Sequence, residues 1–367
     1  MKGRWLVTSA LGALVLVGSA LCLAGCANLG YYWQSATGHL RILQAARPVQ
    51  DWLQDAEASQ RLKEQLALAQ RIRAFASREL KLPDNASYSR YADLQRTAVV
   101  WNVVAAPALS LKLQTWCYPV TGCVSYRGYF DEQEARREAE RLRGEGYEAA
   151  AYPVPAYSTL GYMNWAGGDP LLSTFIHYPE GELARLVFHE LAHQVLYARD
   201  DTTFNESFAT AVERLGVQRW LATEASDKAR ADYVRYDVRR RQWRELTQST
   251  RRALQAAFDE KAPLTPQERA ERKAQVMARF REEYARLRGT WDLDPRRLRL
   301  TDQWVAEANN ASFGALAAYD ELVPGFEALF ASVGGDWTRF YDEARRLAKL
   351  PKDERHQQLK AKEGGRA

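Results

Sequence analysis

A mostly helical α+β fold is predicted by three features of this 367-residue sequence. Apolar residues recur at helical spacing over residues 34–80 and again from about residue 223 to 347. Between them, residues 98–154 carry short runs rich in β-branched and aromatic residues, which read as a small mixed sheet. The third feature is the run from Leu183 to Leu196, where Leu183, Leu186, Val187, Phe188, Leu191, Val195 and Leu196 cover most of a helix circumference and yet enclose His189, Glu190 and His193.

Taken in order, Lys2 and Arg4 precede an apolar stretch from Trp5 to about Ala24 that ends Leu23-Ala24-Gly25-Cys26, so residues 1–25 read as a signal peptide. That ending resembles a bacterial lipobox. The resemblance implies that Cys26 becomes the lipidated first residue of a mature chain held at the cell envelope and facing the periplasm. Ala27 follows in place of the Asp that retains such proteins at the inner membrane, which implies the outer membrane. A transmembrane anchor is the alternative, since the run is just long enough to span a bilayer. Residues 26–97 then read as N-terminal helices, with Leu40, Leu43, Leu53, Leu62, Leu66 and Ile72 at helical spacing and a turn at Leu80-Lys-Leu-Pro-Asp-Asn85.

Residues 98–105, 110–116, 123–130 and 147–154 read as strands, with a helix over 131–143 capped by Asp131. Leu171 to His177 reads as a further short strand stopping at Tyr178-Pro179, whose edge would suit an extended peptide. Once the leader is removed, Cys117 and Cys123 remain as an even pair six apart, without His or Cys neighbours to complete a metal site. They predict a disulfide that shapes a tight turn, in keeping with an oxidising compartment.

The string His189-Glu-Leu-Ala-His193 carries the chemistry. Residues four apart on a helix lie about 40° apart in rotation and one turn apart in rise, so the two imidazoles converge on a point where a metal fits. Glu190 projects from the same part of the helix, where a carboxylate can take the proton of a water attacking a carbonyl. Burying two imidazoles and a carboxylate without partners costs several kcal/mol, roughly, and a divalent cation compensates that cost well. The pattern predicts Zn2+ and hydrolytic chemistry with Glu190 as general base.

Such a site needs a third protein ligand and an open position. Twelve residues separate Glu206 from His193 and nineteen separate Glu213 from it; a second helix starting near Asp200 or Asp201 and folded back on the first would bring an early carboxylate level with the His pair. The string Asn205-Glu206-x-Phe-Ala resembles the Asn-Glu signature of the gluzincin metallopeptidases, in which the Glu after Asn is the third ligand. That context implies Glu206, whereas the usual gluzincin interval implies Glu213. The reading adopted is Glu206 as ligand, with Glu213 as a carboxylate behind the ligands or as the alternative ligand. The competing reading of Glu206 is a capping box with Thr203.

Residues 223–350 form a helical C-terminal part with a break at Ala262-Pro-Leu-Thr-Pro266, and Asn309 to Tyr319 and Trp337 to Leu347 are its last helical segments. The tail from 351 to 367 reads as polar and flexible. Hydrophobic residues make up 46% of the chain, with 11 Trp, 18 Tyr and 12 Phe, which predicts a packed core. The net charge of +5, reduced to +3 once Lys2 and Arg4 leave with the leader, is too mild to imply nucleic acid.

Residues 25–350 as a whole resemble a family of bacterial lipoproteins described as zinc aminopeptidases. The resemblance rests on the lipobox, Cys117-Tyr-Pro-Val-x-Gly-Cys123, Asp169-Pro-Leu-Leu-Ser-Thr174, Tyr178-Pro-Glu-Gly-Glu-Leu-Ala-Arg-Leu186, the His189 to Gln194 motif, Asn205-Glu-Ser-Phe-Ala209 and Asn309-Asn-Ala311. It implies a single zincin-like metallopeptidase region over 26–350, with the sheet and site helices in 98–222, and a lipid-anchored enzyme acting on peptides. Tyr178 and Tyr319 are candidate oxyanion donors. Aminopeptidase action needs a group for the free amino terminus, for which Glu213, Asp169 and Glu180 are candidates. The alternative function is a zinc-stabilised binding or assembly lipoprotein without catalysis, in which a closing fourth ligand such as Glu213 or Tyr178 would fill the open position.

Overall fold

In the computed structural model, residues 29–119 and 121–364 are described, so the predicted signal peptide and Cys26 lie outside the described residues. Helix α1 runs to residue 45 and is followed by β1 (Arg47–Pro48), α2 (Val49–Gln54) and α3 (Gln60–Leu80). Three small sheets come next in place of one. β3 (Val100–Pro107) is the centre of an antiparallel sheet of order β6-β3-β7, with β6 (Arg127–Tyr129) and β7 (Tyr147–Val154) beside it. β2 (Arg90–Ala92) pairs antiparallel with β1 and parallel with β8 (Leu171–Leu172), and β4 (Trp116–Tyr118) forms a hairpin with β5 (Gly122–Val124).

Helix α4 (Glu132–Gly144) covers the β6-β3-β7 sheet. Its predicted cap is present, since Asp131 accepts from the Glu134 amide at 2.9 Å. The strand predicted from Leu171 to His177 is a correction: only Leu171 and Leu172 pair, and the chain then turns, with the Ile176 amide donating to the Leu172 carbonyl at 3.0 Å. Its apolar members Leu171, Leu172, Phe175 and Ile176 follow the spacing of a helical turn and not the alternation of a strand, and all four are buried.

The site helices are α5 (Glu180–Ala192) and α6 (Thr202–Thr223). They form the main core with α3, α11 (Val323–Ser332) and α12 (Trp337–Ala348), through Phe75, Phe188, Phe208, Trp220, Phe326 and Phe340. Trp220 packs edge-on to Phe75 with ring centroids 5.1 Å apart. The helices run close because Gly216 has no side chain: a Cβ there would stand 2.7 Å from Leu80 and 3.0 Å from Phe188. A second core joins α7 (Asp227–Ala257), α8 (Pro266–Gly289), α9 (Pro295–Glu307) and α10 (Asn310–Asp320). Among the described residues no helix is long and apolar enough to cross a membrane.

The C-terminal end differs from the flexible tail expected from 351. Residues Lys352–Gly364 form helix α13, whose Leu359 is fully buried against the backbone-thin Gly325 of α11. Its second attachment is electrostatic. Asp201, the N-cap of α6, accepts from the Phe204 amide at 3.2 Å, faces His356 Nε2 at 2.9 Å and lies 3.5 Å from the Arg355 guanidinium. The carboxylate is fully buried. Asp201→Ala removes a cap and leaves the cationic face of α13 without its partner, so unfolding in urea should show a loss of about 3–5 kcal/mol. Asp201→Asn, which keeps a capping oxygen, should lose clearly less.

Candidate metal centre

Helix α5 starts after Pro179 with Glu180 and Glu182 in its first turn, where carboxylates meet the positive end of the helix dipole. It ends at His193, whose amide bonds back to the His189 carbonyl. Helix α6 runs antiparallel beside it. Glu206 meets His193 and His189, Glu213 meets His189 and Arg185, and Trp220 donates to Glu180 at 3.1 Å, so partners descend α5 as α6 ascends. Asn205 fixes the loop between them: its Oδ1 accepts from the Ala198 amide at 2.7 Å and its Nδ2 donates to the Ala198 carbonyl at 2.8 Å. With Asp201 as the cap, Thr203 makes no capping box and Glu206 turns inward.

His189 Nε2, His193 Nε2 and Glu206 Oε2 form a triangle with sides of 3.2, 3.3 and 3.6 Å. An ion binding three tetrahedral ligands at about 2.0–2.1 Å sets them about 3.3–3.4 Å apart, so these donors fit a zinc-sized ion. Glu190 stands outside the triangle, and only 9% of it is exposed. Burial pushes its carboxyl up, against the pull of the two histidines. Glu206 moves the other way: burial would raise it, but His193 and His189 hold it well below the carboxylate range.

Glu213 lies on the opposite side of the His189 ring, with Oε2 3.1 Å from Nδ1, and it also pairs with Arg185. Burial raises its carboxyl, yet Arg185 and His189 outweigh that and bring it down to about 2. It stands behind His189 and fixes that ring with Nε2 turned to the triangle. Burial, the largest single cause, lowers His189, but hydrogen bonds to Glu206 and Glu213 together with the charges of both carboxylates leave it raised.

A cleft of about 420 Å³ opens beside the triangle, lined by His189, Glu190, Glu213, Tyr178 and Tyr319 and, on the far side, by Val154 to Ala156. Both predicted tyrosines reach it. Tyr319 stacks on His189, with ring centroids 6.2 Å apart and planes 25° apart, and the charge of Glu206, then burial, pushes its hydroxyl up. Tyr178 sits further out, shifted by burial and by Glu182. Tyr126 and Tyr152, which motif reading missed, also feel Glu206 from the sheet side. No sequence signal marks them. Arg185 was legible in principle, being four residues before His189 and so on its face.

The three acids considered for an amino terminus are otherwise engaged. Glu213 serves His189 and Arg185, Glu180 accepts from Trp220, and Asp169 is 3% exposed and accepts from the Thr159 amide at 3.1 Å. Cys117 and Cys123 stand opposite each other in the β4–β5 hairpin and are joined as a disulfide. The hairpin props the loop after α5: the Cys123 amide donates to Asp200 at 2.6 Å, and the Tyr197 hydroxyl donates to the Thr121 carbonyl at 3.2 Å.

Over residues 30–359 the sequence matches the family described as "Putative aminopeptidase". The chain belongs to this family. No curated protein and no solved structure matches it significantly. The aminopeptidase family match covers every element that builds the cleft, from α3 through most of α13. Within this member of the family, Asn205→Ala leaves the buried Ala198 amide and carbonyl unpaired, and should cost about 2–4 kcal/mol in chemical unfolding.

Proposed function

We propose that this protein is a zinc-dependent peptidase of the aminopeptidase type that hydrolyses peptide bonds in the cleft beside His189 and Glu190. The observation that carries the reading is the triangle of three donors at ion-binding spacing with a buried carboxylate, Glu190, left outside it. When bound, a zinc ion supplies Lewis acidity, acidifying a water and polarising a carbonyl oxygen. His189, His193 and Glu206 would hold the ion, and the Arg185–Glu213 pair keeps His189 in the tautomer with its proton on Nδ1. Glu190 takes a proton from the attacking water at its carboxylate and passes it to the nitrogen of the departing amine. Tyr319, a hydroxyl donor beside His189, steadies the negative charge that develops on the carbonyl oxygen.

The antiparallel helix pair with two histidines on one member and the third carboxylate on the other supports a zincin-like architecture. The position of Glu213 on Nδ1 of His189, away from the triangle, speaks against the non-catalytic reading, which needs a fourth closing ligand. The Leu23-Ala-Gly-Cys26 sequence and the Cys117–Cys123 pairing support a lipid-anchored protein of the cell envelope facing the periplasm, in the outer membrane by the residue at 27.

Metal content measured beside cleavage of aminoacyl and internally quenched peptides tests the proposal. The parent should hold one zinc and cleave. Glu190→Gln should keep the metal and lose about 10²–10⁴-fold in turnover, while Glu206→Gln should lose the metal. Glu213→Gln should weaken metal binding by about 10–100-fold, and Tyr319→Phe should lower kcat by about 10²–10³-fold with metal retained. A parent that binds no zinc after loading sinks the proposal.

A further inference from the structure

A second cavity, of about 660 Å³, adjoins the cleft and shares four walls with it, Glu182, Arg240, Trp243 and Leu316. Four indoles stand in its lining, Trp101, Trp243, Trp291 and Trp304, from β3, α7, the loop before α9, and α9, together with charged side chains such as Glu132, Arg136, Arg239 and Glu307. Trp243 and Trp304 pack edge to face with centroids 5.2 Å apart, and Trp291 donates to Gln242 at 2.9 Å, so these rings are fixed and not loosely placed. Leu300, 69% exposed, stands in the wall. A concavity of this size that combines large fixed apolar faces with a few charged and polar groups has the make-up of a ligand site.

The remaining wall says what kind of ligand. Ala151 and Pro153 of β7 line the cavity, and β7 is an edge strand. The Val154 carbonyl accepts from the Val99 amide on the β3 side, whereas the Ala149 carbonyl faces outward and accepts from Asn309 Nδ2 at 3.2 Å. By alternation the amide and carbonyl of Ala151 and the carbonyl of Pro153 also face outward. The cavity thus sets backbone hydrogen-bonding groups beside indoles, and directly after Pro153 the end of the strand at Val154 and the Pro155 and Ala156 that follow it line the cleft. A chain with both amide groups and large apolar side chains matches this; an acyl chain has nothing for the strand.

We propose that this tryptophan-lined chamber is a specificity subsite that takes large apolar side chains of a peptide whose backbone passes through the cleft. The inference rests on the peptidase reading for the identity of the cleft, but its test does not need turnover. Zinc-loaded Glu190→Gln protein is titrated, by calorimetry and tryptophan fluorescence, with hexapeptides in which a Phe-Leu pair is walked through a Ser-Gly background. One or more registers should bind at least about 10-fold more tightly than the plain Ser-Gly peptide and shift the indole emission. Adding Thr301→Trp, which fills the chamber from α9, should abolish the preference, and Leu300→Asp at the exposed rim should reduce it with unchanged thermal melting. Equal binding of all registers, a preference that survives Thr301→Trp, or displacement of the peptides by dodecanoate as an acyl occupant overturns the subsite. Cleavage by the parent without register dependence removes the subsite alone; register-dependent binding without any cleavage by the parent removes the peptidase reading alone.

Discussion

Burying ionisable groups without partners costs several kcal/mol each, roughly, and the seam between α5 and α6 holds six of them: Arg185, His189, Glu190, His193, Glu206 and Glu213. Much of the surrounding structure follows from that constraint. Arg185 and Glu213 pair with one another and Glu213 gives His189 a fixed orientation, which leaves two imidazole nitrogens and one carboxylate facing each other.

Such a seam only works if the two helices keep their register, and three separate devices hold it. Gly216 brings the backbones together against Phe188 and Leu80. Asn205 locks the connection through both polar groups of Ala198. Asp201, capping α6, is gripped from the far end of the sequence by Arg355 and His356. A slip of one residue along α6 would turn Glu206 by about 100° away from the histidines. The C-terminal helix is therefore part of what aims Glu206, although it lies nowhere near the cleft in sequence.

The convergence of His189, His193 and Glu206 was legible because it depends on local spacing: four residues on one helix, and a short loop that places an early turn of the next beside it. So was the helix of 131–143, announced by its Asp131 cap. What stayed hidden depends on pairings between distant residues. Asp201 and His356 lie 155 positions apart, so a polar tail that reads as loose is in fact a docked helix. Tyr126 and Tyr152 are raised by burial and by the charge of Glu206, through a placement relative to α6 that no periodicity encodes. The segment 171–177 misled for a different reason: a short apolar run reads as a strand by composition, whereas the spacing of Leu171, Leu172, Phe175 and Ile176 is that of a helical turn.

The long charged helices of the C-terminal part acquire a purpose from the cleft. Seen as sequence, α7 is an amphipathic helix with arginine on most faces, the ordinary signature of a solvated surface. In place, Arg240 pairs with Glu182, while Arg244 lies 3.2 Å and Arg214 2.5 Å from Asp320, and all of these line the cleft with Trp243 between them. These pairs span α5, α6, α7 and α10, which means that the cleft has no wall built from a single element. Closing it requires the second core to be folded, and three of the chamber's four tryptophans, Trp243, Trp291 and Trp304, pack against that core. A minimal helix pair could carry the three donors and Glu190; the other three hundred or so residues supply what a bare pair lacks, a fixed register and a shaped, partly apolar space beside the reacting groups.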